Sequence, residues 1–224
     1  MAEAILITKK TLDAQAADVI RERIMDGALA AGEKLTEVSV SEEFGLSRGT
    51  IRAAFRQLVA EGLILQVPYT GWEIMPLTAS DVWELYTLRS ALEGLAAHIA
   101  AEKIGERGRE ELSLAMITLE KACKRRNRRT AAKADFDLHK TIIRLSGHSR
   151  LAEQYDIIAR QVQRYIISSD ALLPDEFDLV DQHKPMVDAI LSGDKQKAAK
   201  LARAHNKNEG AALVEHLRQQ ETAD

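Results

Sequence analysis

From Thr78 almost to the C-terminal end, apolar residues recur three and four positions apart through segment after segment, the spacing of one face of an α-helix. The first segment is the longest, with Val82, Leu85, Leu88, Leu92, Leu95, Ala96 and Ile99 in helical phase through about Lys103. Others cover roughly Arg109 to Lys124, Thr130 to Leu145, Arg150 to Ser169, Asp178 to Leu191 and Lys195 to Arg218, parted by Gly, Ser, Asn, Pro or charge-rich breaks. Short breaks between amphipathic helices predict an all-α antiparallel bundle over 77–224. Pro76 closes a different kind of unit over 1–76. There, helices are expected from Thr11 to about Gly27, from the Thr36 cap through Phe44, and from the Ser47 cap to about Glu61, with Gly45 breaking the last two apart. Leu63–Val67 and Trp72–Met75 then flank the turn Pro68-Tyr69-Thr70-Gly71 and read as a β-hairpin, the only strands expected. Two short helices on a glycine-containing turn followed by a hairpin make a winged helix-turn-helix. The fold class is mainly α, in two domains.

The bulk numbers exclude several classes. A chain of 224 residues, 46% hydrophobic and 29% charged, buries one or two ordinary cores. No apolar run approaches the roughly 20 residues of a spanning helix, and Glu3 stands where a secretory signal needs a basic segment, so the chain is expected in the cytoplasm without membrane partners. Cys123 is the single cysteine, which excludes an internal disulfide and a thiolate metal cluster; any metal must be held by His and carboxylate. Net charge is −3, and residues 1–76 carry 8 Lys and Arg against 11 Asp and Glu, the same −3, so composition does not point to nucleic acid. The basic run Lys121, Lys124, Arg125, Arg126, Arg128 and Arg129 reads as a solvated helix end.

Placement of charge says more than its sum. Arg48, Arg52 and Arg56 repeat every fourth position and share one face of the third helix, as guanidinium groups must to reach base edges or phosphates in a major groove; Ala53, Leu58 and Val59 are expected to pack inward. The same stripe also suits a solvated helix. The order Ile20-Arg21-Glu22-Arg23-Ile24, Gly27-Ala28-Leu29, Gly32 to Glu37, Gly45-Leu46-Ser47-Arg48 with Ile51-Arg52, and Glu61-Gly62-Leu63-Ile64 resembles the GntR family. That resemblance implies operator contacts from Arg48 and Arg52 and a wing glycine, here Gly71, that lets the hairpin backbone enter the minor groove. Thr50 stands where relatives often have proline and offers a hydroxyl to phosphate; Gly49 reads nothing. Thr70 replaces a common arginine before the wing glycine. The resemblance further implies a homodimer on an inverted-repeat double-stranded operator.

In the C-terminal part, Asp135 and His139 lie four apart and face one way on a helix, a spacing that suits a metal, a salt bridge or a solvated pair. The segments Arg89-Ser90-Ala91-Leu92-Glu93, Asp135 with His139, Ser146-Gly147, and His183 with Ala189-Ile190, Gly193-Asp194, Ala198 and His205 resemble the FCD sensor domain of FadR-like regulators. In such domains the positions matching Asp135, His139, His183 and His205 bind a divalent metal. Three imidazoles and one carboxylate suit Zn²⁺, Ni²⁺, Mn²⁺ or Fe²⁺, with Zn²⁺ slightly preferred. Arg89 is a natural second anchor for an effector carboxylate, or else the partner of Glu93 one turn on. His98, His148 and His216 read as structural or solvated. The expected function is a transcriptional repressor, not an enzyme, released by a small organic acid. Alternatives are a DNA-binding protein with a purely structural metal, or a metal-dependent hydrolase, for which the sequence places no general base beside the ligands.

Overall fold

The computed structural model describes residues 10–25, 27–170 and 177–221. They form two compact units, Met1–Pro76 and Leu77–Asp224, each with its own apolar core. No helix among the described residues is long and apolar enough to cross a membrane.

The first unit holds α1 (Leu12–Met25), β1 (Lys34–Leu35), α2 (Glu37–Phe44), α3 (Arg48–Ala60), β2 (Ile64–Val67) and β3 (Gly71–Ile74). Caps set the helix-turn-helix. Thr36 accepts from the Ser39 backbone N–H at the start of α2, and Gly45 ends it in the left-handed region at φ 64°. Ser47 then accepts from the Thr50 N–H to start α3. Ile51, Ala54, Phe55 and Leu58 of α3 are buried against Ala16, Ala17, Ile20 and Ile24 of α1 and the sheet residues Ile64, Trp72 and Ile74. The expected inward positions Ala53 and Val59 are exposed; only Leu58 of that set reaches the core. The buried stripe is Ile51, Phe55 and Leu58, because the largest apolar groups fix the helix rotation and Ala53 contributes little area.

The sheet corrects the expectation that strands are confined to the wing. Its order is β1-β3-β2, antiparallel throughout, with Lys34 opposite Glu73 and Leu35 opposite Trp72. Two residues are too few to carry a period-two signal, so β1 had none to give. Gly71 pairs with Val67 at φ 117°, and a Cβ there would stand 3.2 Å from the Leu35 carbonyl oxygen, so the wing glycine is required by the packing of β1 itself.

The second unit is helical: α4 (Ala79–Lys103), α5 (Glu106–Lys124), α6 (Arg128–Leu145), α7 (Ser149–Asp170), α8 (Phe177–Leu191) and α9 (Lys195–Glu221). Thr78 caps α4 and Asn127 caps α6 through their side-chain oxygens, while the His148 ring nitrogen accepts from the Leu151 N–H near the start of α7. Helices α4 and α9 lie close because both carry glycine where they meet. A Cβ on Gly94 would stand 2.6 Å from Arg203 Cγ, and one on Gly210 2.6 Å from Tyr86 Cβ. The buried stripe of α4 departs from the apolar one expected. Leu88 and Leu95 are exposed, whereas Arg89 and Glu93 are buried between Tyr86 and Ala96. Burying two charged groups costs several kcal/mol unless every charge is matched, so the phase of α4 is dictated by what surrounds that pair.

Candidate functional site

Two places in the molecule concentrate polar chemistry. In the first unit, Arg48, Arg52 and Arg56 are exposed along α3. Arg52 is engaged within the unit: its Nε and Nη2 donate to the two oxygens of Glu37 on α2 at 2.8 and 2.7 Å. Glu37 also accepts from Trp72 Nε1 on β3 at 3.3 Å. Arg52 holds the Glu37 carboxyl below the usual carboxylate range. Recognition helix, first helix of the motif and wing strand are thus tied through one carboxylate. The Thr50 hydroxyl lies 2.8 Å from Ser47 Oγ, within the cap, and Tyr69 stands fully exposed in the turn between β2 and β3, a residue the sequence reading did not single out.

In the second unit, α4, α6, α7, α8 and α9 converge on one buried polar centre. Asp135 and His139 come from α6, His183 from α8 and His205 from α9, and all are buried. The ring centroids of His139, His183 and His205 lie 4.3 to 5.2 Å apart, so three helices deliver their imidazoles to one point. Second partners fix the ring orientations. His139 Nδ1 lies 2.8 Å from Glu93 Oε2, and His183 Nδ1 lies 2.7 Å from the Leu179 carbonyl oxygen, one turn back on α8. Since a carbonyl accepts only, Nδ1 of His183 donates there and Nε2 is the nitrogen that faces inward.

Glu93 is the hub around these ligand-type side chains. Its Oε1 accepts from Arg89 Nε at 2.7 Å and from the Tyr155 hydroxyl at 2.8 Å. Its Oε2 accepts from Asn206 Nδ2 at 2.9 Å besides facing His139. Burial works against the Glu93 carboxylate, yet Arg89 and His139 hold it well below its ordinary range. Burial alone would lower His139, but the Glu93 charge wins and pushes it up to about 10. Burial and then the His183 and His139 charges drive His205 well below the ordinary histidine value.

The inner face of the centre is not internally satisfied. His183 Nε2 stands 3.1 Å from His139 Nε2 and 2.6 Å from Asp135 Oδ1. Asp135 Oδ2 is buried without a hydrogen-bond partner, and His205 Nε2 has only the Glu209 carboxylate at 3.3 Å, outside hydrogen-bond geometry. His139 and His183 thus turn Nε2, and Asp135 its carboxylate, toward one point in the interior. A cation fits that arrangement, and the donor set, imidazole nitrogen with carboxylate oxygen, is one that divalent metals take.

Of the two roles expected of Arg89, effector anchor or partner of Glu93, the structure shows the second. Besides Glu93, its Nη1 donates to Glu209 Oε2 at 3.1 Å, and only Nη2 lacks a partner. Glu209, one turn after His205 on α9, is one of three members of a second donor group, with Asp135 and His183. Burial raises the Glu209 carboxyl above its ordinary value. Sequence reasoning missed Glu209 and Tyr155, and could not separate Asn206 from surface residues. The spacing of His205 and Glu209 repeats that of Asp135 and His139 and was the available signal for Glu209; Tyr155 and Asn206 gave none.

A three-helix unit with a hairpin wing, followed by a helical bundle with a polar interior, is the layout of a two-domain DNA-binding regulator. The FCD domain profile matches residues 84–208, and that of the bacterial regulatory proteins, gntR family, matches residues 12–74. The chain belongs to the GntR family of bacterial regulatory proteins, in the branch that carries an FCD domain. It is 28% identical over 192 residues, 86% of this chain and 84% of the relative, to a protein described as a probable D-xylose utilization operon transcriptional repressor from Paenarthrobacter nicotinovorans. It is 25% identical over 185 residues, 79% of this chain and 74% of the relative, to a gluconate operon transcriptional repressor from Bacillus licheniformis. The fold is shared with E. coli McbR/YncC, at TM-score 0.74 and 17% identity over 93% of this chain and 99% of that one. The chain is a transcriptional regulator, and its families and relatives are regulators rather than enzymes.

Proposed function

We propose that the chain is a homodimeric repressor of an inverted-repeat operator. Arg48, Thr50, Arg52 and Arg56 contact the DNA from α3, and Gly71 shapes the wing. The C-terminal unit holds a divalent ion through Asp135, His139, His183 and His205, and a small organic acid binding there weakens the grip on DNA. One observation carries the sensor half: three buried imidazoles with their ligand nitrogens within 4.8 Å of one another, and the Asp135 carboxylate beside them, at the meeting point of helices α6, α8 and α9. A bound ion supplies positive charge and an open coordination position for an acid. Asp135 and the three imidazoles hold it, Glu93 and the Leu179 carbonyl orient two of those imidazoles, and Arg89 Nη2 gives a second contact for the acid. Gluconate, the acid named for the operon of one relative, has the chemistry required. Coupling to DNA is by population: the acid favours a bundle arrangement whose dimer spaces its two reading heads poorly for the half-sites.

A purely structural ion is the competing reading, favoured by the neutralisation of Arg89 within the bundle. The two separate in one experiment. The metal-loaded protein is screened for thermal stabilisation by gluconate and other small carboxylic acids, and its operator affinity is then followed by fluorescence anisotropy with the best hit. Stabilisation with weakened operator binding is expected. Unchanged operator affinity at saturating acid overturns the sensor reading, because a ligand shifts an equilibrium only through differential affinity.

A further inference from the structure

We propose that Glu209 is a built-in stand-in for the effector's carboxylate: it lies between the metal-type donors and Arg89, and an incoming acid must displace it. This rests on the metal-anchored reading above and goes beyond it. Glu209 Oε2 is 3.1 Å from Arg89 Nη1 and Oε1 is 3.3 Å from His205 Nε2, so one carboxylate touches Arg89, assigned to the acid, and His205, assigned to the ion that would bind it. A Glu209 oxygen also lies within 4.8 Å of ligand atoms of Asp135 and His183, the reach of a shared ion. Two features mark the spot as unfinished: Arg89 Nη2 is buried there with no hydrogen-bond partner, and the contact of His205 Nε2 with Glu209 falls short of hydrogen-bond geometry.

Charge leads to the same place. Asp135, Glu93 and Glu209 carry three negative charges, and Arg89 with a divalent ion carries three positive ones, so the buried set is neutral with Glu209 in it. An acid that entered while Glu209 stayed would leave one buried negative charge uncompensated, which a dry interior disfavours strongly. Without Glu209 the set is one positive charge in excess, the state that draws in a carboxylate. Entry and displacement are therefore coupled, and α9, which carries both His205 and Glu209, is the element whose contacts change when the acid binds. The sensing event is the exchange of an internal carboxylate for an external one on the same two partners.

The test uses the full-length, metal-loaded protein and the variants Glu209→Ala and Glu209→Gln. Metal per chain is measured by mass spectrometry, and acetate and citrate affinity by calorimetry. Because an internal competitor lowers apparent affinity by the fraction of time it occupies the site, a position held more than about nine-tenths of the time predicts about tenfold or more tighter acid binding in Glu209→Ala. Glu209→Gln, which keeps the shape and loses the charge, is expected between the two. Both variants are expected to retain the ion through the remaining four ligands. Equal or weaker acid binding in both variants with the ion retained overturns the competitor role and leaves the metal reading intact. Loss of the ion from both variants also overturns it, by making Glu209 an obligatory ligand. A parent that carries no ion, or binds neither acid in any form, removes the metal-anchored reading and this inference together.

Discussion

Arg52 and Arg89 both meet a carboxylate through well-formed bonds, and the two pairs have opposite physics. Arg52 meets Glu37 at the surface of the reading unit, with half its side chain in water. Such a pair is screened by salt and exchanges one anion for another readily, which suits the DNA contact proposed for Arg52. Arg89 meets Glu93 with 1% and 3% of the two side chains exposed. There the attraction is strong, the desolvation cost is large, and loss of one partner strands the other. A reading surface needs replaceable contacts; a sensing centre needs contacts that cannot change without moving helices.

The comparison breaks most visibly at its buried side. Glu93→Ala removes a partner from Arg89, His139, Tyr155 and Asn206 at once, and is expected to destabilise the protein by about 3–5 kcal/mol, read as a large fall in the melting temperature. A melt within a few degrees of the parent would show that the hub is not cooperative. Next in size is the ion: at a free concentration about 100 times its dissociation constant it contributes about 2.7 kcal/mol, so chelation should lower the melting temperature of the parent and leave His139→Ala unmoved. At the exposed side, Arg52→Ala should melt like the parent yet bind operator about tenfold or more weakly in anisotropy titrations. Unaltered affinity would mean that Glu37 keeps Arg52 for itself.

The smallest effect is a dependence on pH. In the ion-free protein His139 is pushed up to about 10 by Glu93 against the opposing effect of burial, so the ion must displace its proton. Metal affinity should rise with pH by no more than about tenfold per unit for that proton, levelling above about 10. Proton release is read by calorimetry in buffers of different ionisation enthalpy. For stability without the ion the sign is opposite. The raised value makes the His139 proton stabilising below the ordinary histidine range, and that contribution is lost as pH climbs toward 10.

How far each half could be foreseen follows the same division. Capping and periodicity are local, so the helix-turn-helix was legible from Thr36, Gly45 and Ser47, each of which caps where its chemistry predicts. The helices of the bundle likewise fall close to their expected spans. What local patterns could not supply was the partner across space. Nothing near Glu37 foretells that Arg52, fifteen residues on, would be held by it. Leu88 and Leu95 looked like core and are exposed, because the burial of Arg89 and Glu93 is decided by residues on other helices. The same holds for β1, whose pairing with β3 is nonlocal, and for Glu209, whose meaning depends on Arg89 lying 120 residues earlier in the chain.

The central claim is that one molecule separates an exchangeable surface for DNA from a metal-holding interior for a ligand. The most direct measurement is elemental analysis of the purified protein beside His139→Ala and Arg52→Ala. The account predicts close to one divalent ion per chain in the parent and in Arg52→Ala, and little or none in His139→Ala. A parent free of divalent metal, or a His139→Ala that keeps a full complement, would contradict it.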